Sequence, residues 1–116
     1  MAAITNEMGT IQIADDVITK IAGRSAETCY GLVGMSAKKA SDGISELLNR
    51  DNPSKGITVV TTDEGIEINM YVIVLYGMSI LAVTKSAMEK VKYDVEQMTG
   101  LTVSKVNLTV EGIRVN

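Results

Sequence analysis

The sequence predicts an α/β (α+β) fold in which a mixed β-sheet of about five strands packs against two main helices and one short helix, as a two-layer sandwich. Three observations support this. Several short segments alternate between apolar and polar residues, two longer segments carry apolar residues at helical spacing, and turn residues separate them. A chain of 116 residues fits a single domain, residues 1–116, with one hydrophobic core.

The first elements are a short strand and a helix. Gly9–Ile13 alternates and predicts the strand. Asp15 or Asp16 then caps the helix, and Gly31 ends it. The expected buried face of this helix comprises Val17, Ile18, Ile21, Ala22, Ser25, Ala26 and Cys29.

The middle of the chain alternates strands with turns. Leu32–Met35 predicts a buried strand, and polar residues 38–42 a loop. Ser41 or Asp42 can cap a short helix, and residues 51–56 form a turn. The short helix carries Ile44, Leu47 and Leu48. A strand at Ile57–Thr62, a tight hairpin at Asp63-Glu64-Gly65 and a strand over 66–76 follow.

A long helix and a last strand complete the prediction. Ser79 caps this helix and Gly100 ends it. In the last strand the apolar alternation shifts before Ile113, which predicts a bulge near Gly112. The stripe expected to face the core comprises Leu81, Thr84, Met88, Val91, Val95 and Met98. The solvent side of this helix carries a charged row of Lys85, Glu89, Lys92 and Glu96. The apolar residues of the last strand are Val103, Val106, Leu108 and Val110.

The composition argues against several classes of function. The chain contains no His, which excludes Ser-His-Asp and Cys-His nucleophiles and zinc sites that use His. No catalytic, cofactor-binding or metal-ligating residue is predicted, and we expect neither a cofactor nor an enzyme. The net charge of −3 argues against binding to nucleic acid or anionic lipid.

The single cysteine predicts a reducing compartment, since Cys29 has no partner for an internal disulfide. It is expected to be a small buried packing residue. The N-terminal residues lack the pattern of a signal peptide, and the longest apolar stretch, residues 70–83, is shorter than the ~18 residues that a membrane helix needs. We therefore expect a cytoplasmic protein without direct membrane insertion.

Segments distributed over nearly the whole chain resemble the alkaline shock protein family of Gram-positive bacteria, in particular its short soluble branch. The matching runs are G-T-I-Q-I-A-D-D-V-I from Gly9, C-Y-G-L-V-G-M from Cys29, K-G-I-T-V from Lys55, I-E-I-N-M-Y-V-I-V-L-Y-G from Ile66, V-K-Y-D-V-E-Q-M-T-G-L from Val91 and V-N-L-T-V-E-G-I from Val106. None of these runs carries a catalytic signature.

The resemblance implies a cytoplasmic, non-enzymatic protein linked to cell-envelope homeostasis and the stress response, which acts by self-association or by binding a protein partner. Some family members are held near the membrane by a separate anchor protein. The short branch is often encoded beside a dihydroxyacetone-kinase-like protein that phosphorylates fatty acids. An alternative role is therefore as an accessory to fatty-acid phosphorylation, binding an acyl ligand or the kinase.

The strand over 66–76 carries the candidate interface. Its second half is apolar on both sides, and we do not expect two main helices and one short helix to cover both faces of the sheet. The expected interface consists of Tyr71, Ile73 and Leu75, which would meet another protomer or a partner protein. In the competing interpretation, the short helix at residues 44–48 covers this face.

Overall fold

The computed structural model of the protein describes residues 1–35 and 56–115, without the side chain of Met35. The class of fold is as predicted, although the described residues form six strands rather than about five. In chain order the elements are β1 (Ala2–Asn6), β2 (Gly9–Ile13), α1 (Asp15–Glu27), β3 (Leu32–Met35), β4 (Ile57–Thr62), β5 (Gly65–Leu75), α2 (Ile80–Thr99) and β6 (Val103–Arg114). The predicted loop at 38–42, the short helix at 44–48 and most of the turn at 51–56 lie outside the described residues.

The main sheet is organised around β5. One edge of β5 pairs antiparallel with β4 along its first half and with β3 along its second half. The other edge pairs parallel with β6 along nearly its whole length. The parallel connection is made by α2, because a parallel pair needs a long crossover. The sheet is therefore mixed, and every other strand in it hydrogen-bonds to β5.

Both helices cover the same face of this sheet. α1 contacts β3 and β4, and α2 contacts both α1 and β6. One face of β5 is wholly buried against them, as the alternation predicted. The fully buried large side chains of the core are Ile18, Ile66, Ile68, Met70, Val72, Val74, Val91, Val95 and Val103.

The start of α1 differs from the prediction. Ala14 occupies the N-cap position, and no side chain caps the helix. Asp15 and Asp16 lie inside the first turn, where their carboxylates interact favourably with the free backbone N–H groups. The helix also ends at Glu27, before Gly31. Gly31 instead has φ of +98°, and an added Cβ would lie 2.7 Å from a methyl group of Val83. It therefore permits close approach of the chain to α2.

The ends of α2 are as predicted, and of its predicted stripe Val91 and Val95 are buried. The Ser79 hydroxyl accepts a hydrogen bond from the Ala82 N–H at 3.3 Å, and Gly100 takes the left-handed conformation. Leu81 and Met98 of the predicted stripe are 76% and 71% exposed. The residues that do face the core are Val83, Ala87, Val91 and Val95, spaced by four. Small side chains in this row let α2 lie close to the sheet, and the larger ones fall on its flanks.

Strand β1 was not predicted. It forms a two-stranded antiparallel sheet with β2, separate from the main sheet, with Ala2 opposite Ile13 and Ile4 opposite Ile11. Ala2 is buried in the core, and Ile4 and Ile13 pack against it from one face of the hairpin. The predicted bulge is confirmed, since the β5–β6 register skips a residue between Val110 and Gly112.

Candidate interaction surfaces

The face of the sheet opposite the two helices, called here the open face, is divided into a polar and an apolar half. Its polar half is held by side-chain hydrogen bonds across β5 and β6. The Asn107 side-chain amide donates to the Glu67 carboxylate at 3.1 Å and to the side-chain Oδ1 of Asn69 at 2.9 Å. These bonds link the two strands and fix the orientation of the polar groups.

The apolar half of the open face carries the predicted interface residues. Tyr71, Ile73 and Leu75 occupy alternate positions of β5 and form one row. Ile73 is 5% exposed and lies outside the main core cluster, whereas Tyr71 and Leu75 are half-buried. Ile73 is therefore buried in the protein, whereas Tyr71 and Leu75 on either side of it keep accessible surface. Its contact with a partner stays a prediction.

A second surface, a shallow groove between α1 and α2, was missed from the sequence. The groove has a volume of about 340 Å³. On its floor the Ser25 hydroxyl donates to the Asp94 carboxylate at 2.6 Å, and Lys90 pairs with the same oxygen at 2.8 Å. Ser25 and Asp94 lie 69 residues apart in the chain. Since neither belongs to a motif, only the packing of the two helices brings them together.

The ionisation of Asp94 and Lys90 reflects this pairing. The Lys90 ammonium and the Ser25 hydroxyl both hold the pKa of the Asp94 carboxyl below its ordinary value. The hydrogen bond to Asp94 raises the pKa of Lys90. Both groups therefore remain charged at neutral pH, and this cluster is a structural ion pair rather than a proton donor or acceptor.

Cys29 follows four residues after Ser25, which lines the groove. Its thiol is buried, and its Sγ is 3.7 Å from the Ser25 carbonyl oxygen, to which it donates. Burial raises the pKa of the Cys29 thiol, although Lys90 acts in the opposite direction. A buried thiol with a raised pKa is a poor nucleophile, so the geometry agrees with the expected packing role.

Among the described residues, no group of three or more His, Cys, Asp or Glu side chains converges in a way that could hold a metal ion. None of the described helices has the length and apolar character needed to span a membrane.

The comparison with protein families gives a match over almost the entire chain. The model of the alkaline shock protein 23 family, described as having a cell envelope-related function, matches residues 3–115. No solved structure matches the chain.

Several curated relatives are similar over most of their length. The chain is 43% identical over 113 residues, covering 97% of it and 94% of the relative, to "Uncharacterized protein YloU" of Bacillus subtilis (strain 168). It is 40% identical over 113 residues, 97% and 93% of the two chains, to "Uncharacterized protein Spy1614" of Streptococcus pyogenes serotype M6.

A more distant relative has a descriptive name. The chain is 26% identical over 106 residues to the "Stress response regulator gls24 homolog" of Streptococcus pyogenes serotype M3, covering 91% of this chain and 59% of that relative.

Proposed function

This chain belongs to the alkaline shock protein 23 family, and we propose that it serves cell-envelope homeostasis and the stress response as a non-enzymatic protein that binds a protein partner through the open face of its sheet. The family description supports the envelope-related part of this role. The name of the gls24 relative supports a part in the stress response. The observation that carries the mode of action is the row of Tyr71, Ile73 and Leu75, which lies on the face that neither described helix covers.

The composition of the open face suits a protein partner. A half-buried tyrosine and a half-buried leucine provide a rigid aromatic surface beside an aliphatic one. Tyrosine is enriched at protein interfaces because its ring contributes apolar area and its hydroxyl a hydrogen bond. The Asn107, Glu67 and Asn69 network borders this apolar half with satisfied polar groups. An apolar centre with a polar border is the usual arrangement of a binding surface.

The side chains with chemistry favour binding over catalysis. The Lys90–Asp94 pair is charged on both sides, so it has no proton to exchange near neutrality. Cys29 has a raised pKa and is buried. The proposed role therefore depends on shape and apolar contact rather than on a reactive group.

The groove between the helices offers limited support for the alternative role, acyl-ligand binding. Its rim contains Lys20, Arg24 and Lys90, which could attract an anionic head group. Each of these cations already pairs with a carboxylate: Asp16, Glu27 and Asp94, respectively. An anion would have to displace these carboxylates, so we favour the open face.

The test uses variants of the two accessible members of the row. Tyr71→Ser combined with Leu75→Ser removes the apolar surface, and Val60→Ser is the matched control. Val60 is an exposed apolar residue opposite Glu67, at the polar half of the same face. Ile73 is unsuitable, because an aspartate there would bury an unpaired charge and is expected to unfold the protein.

Each variant replaces the native gene, and two readouts are compared. We expect the double variant to fold, as judged by circular dichroism. Cells that carry it should lose the wild-type response to envelope stress, and the variant should no longer be cross-linked to a protein partner. Val60→Ser should retain both. A folded double variant that retains the partner and the phenotype would contradict the proposal. A fatty acid found by native mass spectrometry, and unaffected by the variants, would favour the alternative.

A further inference from the structure

One end of the molecule, called here the apolar pole, is built from three segments of the chain. β5 and β6 run parallel and both end here, and α2 begins here because it follows directly on β5. β3 also starts at this end, since it pairs antiparallel with the second half of β5. The apolar pole therefore consists of residues 28–32, 76–84 and 112–115.

Backbone contacts hold these segments in place. The Tyr76 N–H donates to the Arg114 carbonyl at 2.8 Å, and the Leu75 N–H donates to the Gly31 carbonyl at 2.9 Å. Gly31 also lies against α2, since an added Cβ would be 2.7 Å from a methyl group of Val83. The fold itself therefore sets the arrangement of the apolar pole.

Large apolar side chains of these segments project into solvent. Four of them are at least 68% exposed: Tyr30, Tyr76, Leu81 and Val115. Two more, Ile80 and Ile113, are 43% and 49% exposed. They come from turns and from the ends of elements, where neighbouring side chains give little cover. Clustered apolar side chains with this exposure mark a site of interaction.

Charge is distributed unevenly between the two ends of the molecule. The segments of the apolar pole contain no acidic residue, and their only charged side chain is Arg114. The exposed Lys85 lies one helical turn beyond Leu81 on α2. The acidic residues at the opposite end, in the first turn of α1 and in the turn between β4 and β5, are Asp15, Asp16, Asp63 and Glu64. The net charge of −3 therefore averages over an apolar pole with cations and an acidic opposite end.

These features fit the surface of a phospholipid bilayer better than a protein. Tyrosine rings favour the level of the lipid head groups, and aliphatic side chains enter the acyl boundary beneath them. Arg114 and Lys85 would lie near the phosphates, while the acidic end would point away from a negatively charged surface. The side chains that dominate protein interfaces are instead held in packed pockets, whereas Tyr30 and Leu81 have little such support.

We propose that the apolar pole binds the surface of a phospholipid bilayer containing anionic lipids, with Tyr30, Tyr76 and Leu81 at the centre of the contact. The contact is reversible, because only a few side chains enter the bilayer. The negative net charge does not oppose it, since charges farther from the surface than a Debye length of about 8 Å are screened. The inference does not rest on the proposed function, because the Tyr71–Leu75 row has other side chains and either proposal can fail alone.

The first test is flotation of the full chain with vesicles of phosphatidylcholine, alone or mixed equally with phosphatidylglycerol. Tyr76→Ser combined with Leu81→Ser removes two exposed side chains of the apolar pole. Met8→Ser combined with Tyr93→Ser is the matched control, since both residues are well exposed but lie outside the pole. We expect the wild type and the control to float with the mixed vesicles, and less with phosphatidylcholine alone. The pole variant should bind the mixed vesicles more weakly by roughly tenfold or more.

The second test uses fluorescence, and it decides the matter if the serine variant of the pole does not fold. The chain contains no tryptophan, so Tyr76→Trp and Tyr93→Trp each report on one position. With the mixed vesicles we expect a blue shift of the Tyr76→Trp emission and its quenching by lipids with brominated acyl chains. The Tyr93→Trp emission should change in neither respect.

Three results would overturn the proposal. One is a wild type that floats with neither kind of vesicle. Another is an equal loss of binding in the pole variant and the control, or equal quenching at both tryptophan positions. The third is a blue shift of Tyr76→Trp that follows protein concentration without vesicles, which would identify the pole as a protein contact.

Discussion

The two faces of strand β5 have the same backbone but different surroundings. On the helix-covered face all five apolar residues are buried, from Ile66 to Val74. On the open face the side chains change from hydrogen-bonded polar groups at Asn69 to a row in which only Ile73 is buried. The comparison shows that one face holds the fold together and the other retains surface that can contact another molecule. The predictions below test this division, from the largest expected effect to the smallest.

The largest difference is expected between truncations on the two faces. Ile68→Ala removes three carbon atoms from a site with no exposure, so it should lower the free energy of unfolding by about 3 kcal/mol. Leu75→Ala, at a half-buried site, should lower it by roughly 1 kcal/mol. Urea denaturation of both variants, with unchanged m-values, measures this difference. Equal losses would mean that both faces are core.

The contact between α2 and the end of the sheet is tested at a glycine. Gly31→Ala should cost roughly 2 kcal/mol, because its φ is positive and the new Cβ would meet Val83 at 2.7 Å. Gly77 is the matched control, since it has the same φ of +98° but no atom within 4 Å of an added Cβ. Gly77→Ala should therefore cost only the backbone strain, about 1 kcal/mol. Equal thermal shifts for the two variants would show that α2 does not press on this turn.

The smallest effect is expected at Asp94, in the groove between α1 and α2. Because the folded-state pKa of Asp94 is lowered, the unfolded chain binds a proton at this site more readily. The stability it contributes is present above the ordinary carboxyl pKa and is lost as the pH falls through the lowered value.

Asp94→Asn should therefore cost up to about 1 kcal/mol at pH 7. Its urea midpoint should also fall less steeply than that of the wild type between about pH 5 and pH 2. Asp16→Asn, which affects an exposed pair with Lys20, serves as control. Parallel profiles for the wild type and Asp94→Asn would contradict the assignment.

The extent to which these features could be predicted differs between strands and helices. The strands β3, β4, β5 and β6 were predicted because alternation and turn residues are local signals. The stripe of α2 was predicted correctly at Val91 and Val95 and wrongly at Leu81 and Met98, which fit a helical period as well as Val83 and Ala87 do. Only the helix–sheet packing decides which row is buried. β1 was missed because its residues A-A-I-T-N alternate weakly and gain their structure from pairing with β2.

The candidate surfaces show the same limit. The Tyr71–Leu75 row could be found from the sequence, since a half-strand that is apolar on both faces is a local pattern. The Ser25–Asp94 contact could not, because it joins residues of two helices far apart in the chain. The position of β6 at the edge of the described sheet depends on strand order, which no local pattern determines.

The central claim, that the open face is the surface that meets a partner, can be tested by photo-cross-linking in the cell. A photoreactive phenylalanine replaces Tyr71 in one variant and Tyr93 in another. Tyr93 is 63% exposed on α2, on the other side of the sheet, and controls for exposure and ring size. We predict a discrete cross-linked protein adduct from position 71 and none from position 93. An adduct from position 93 alone, or none from position 71 while the protein remains folded and functional, would contradict the claim.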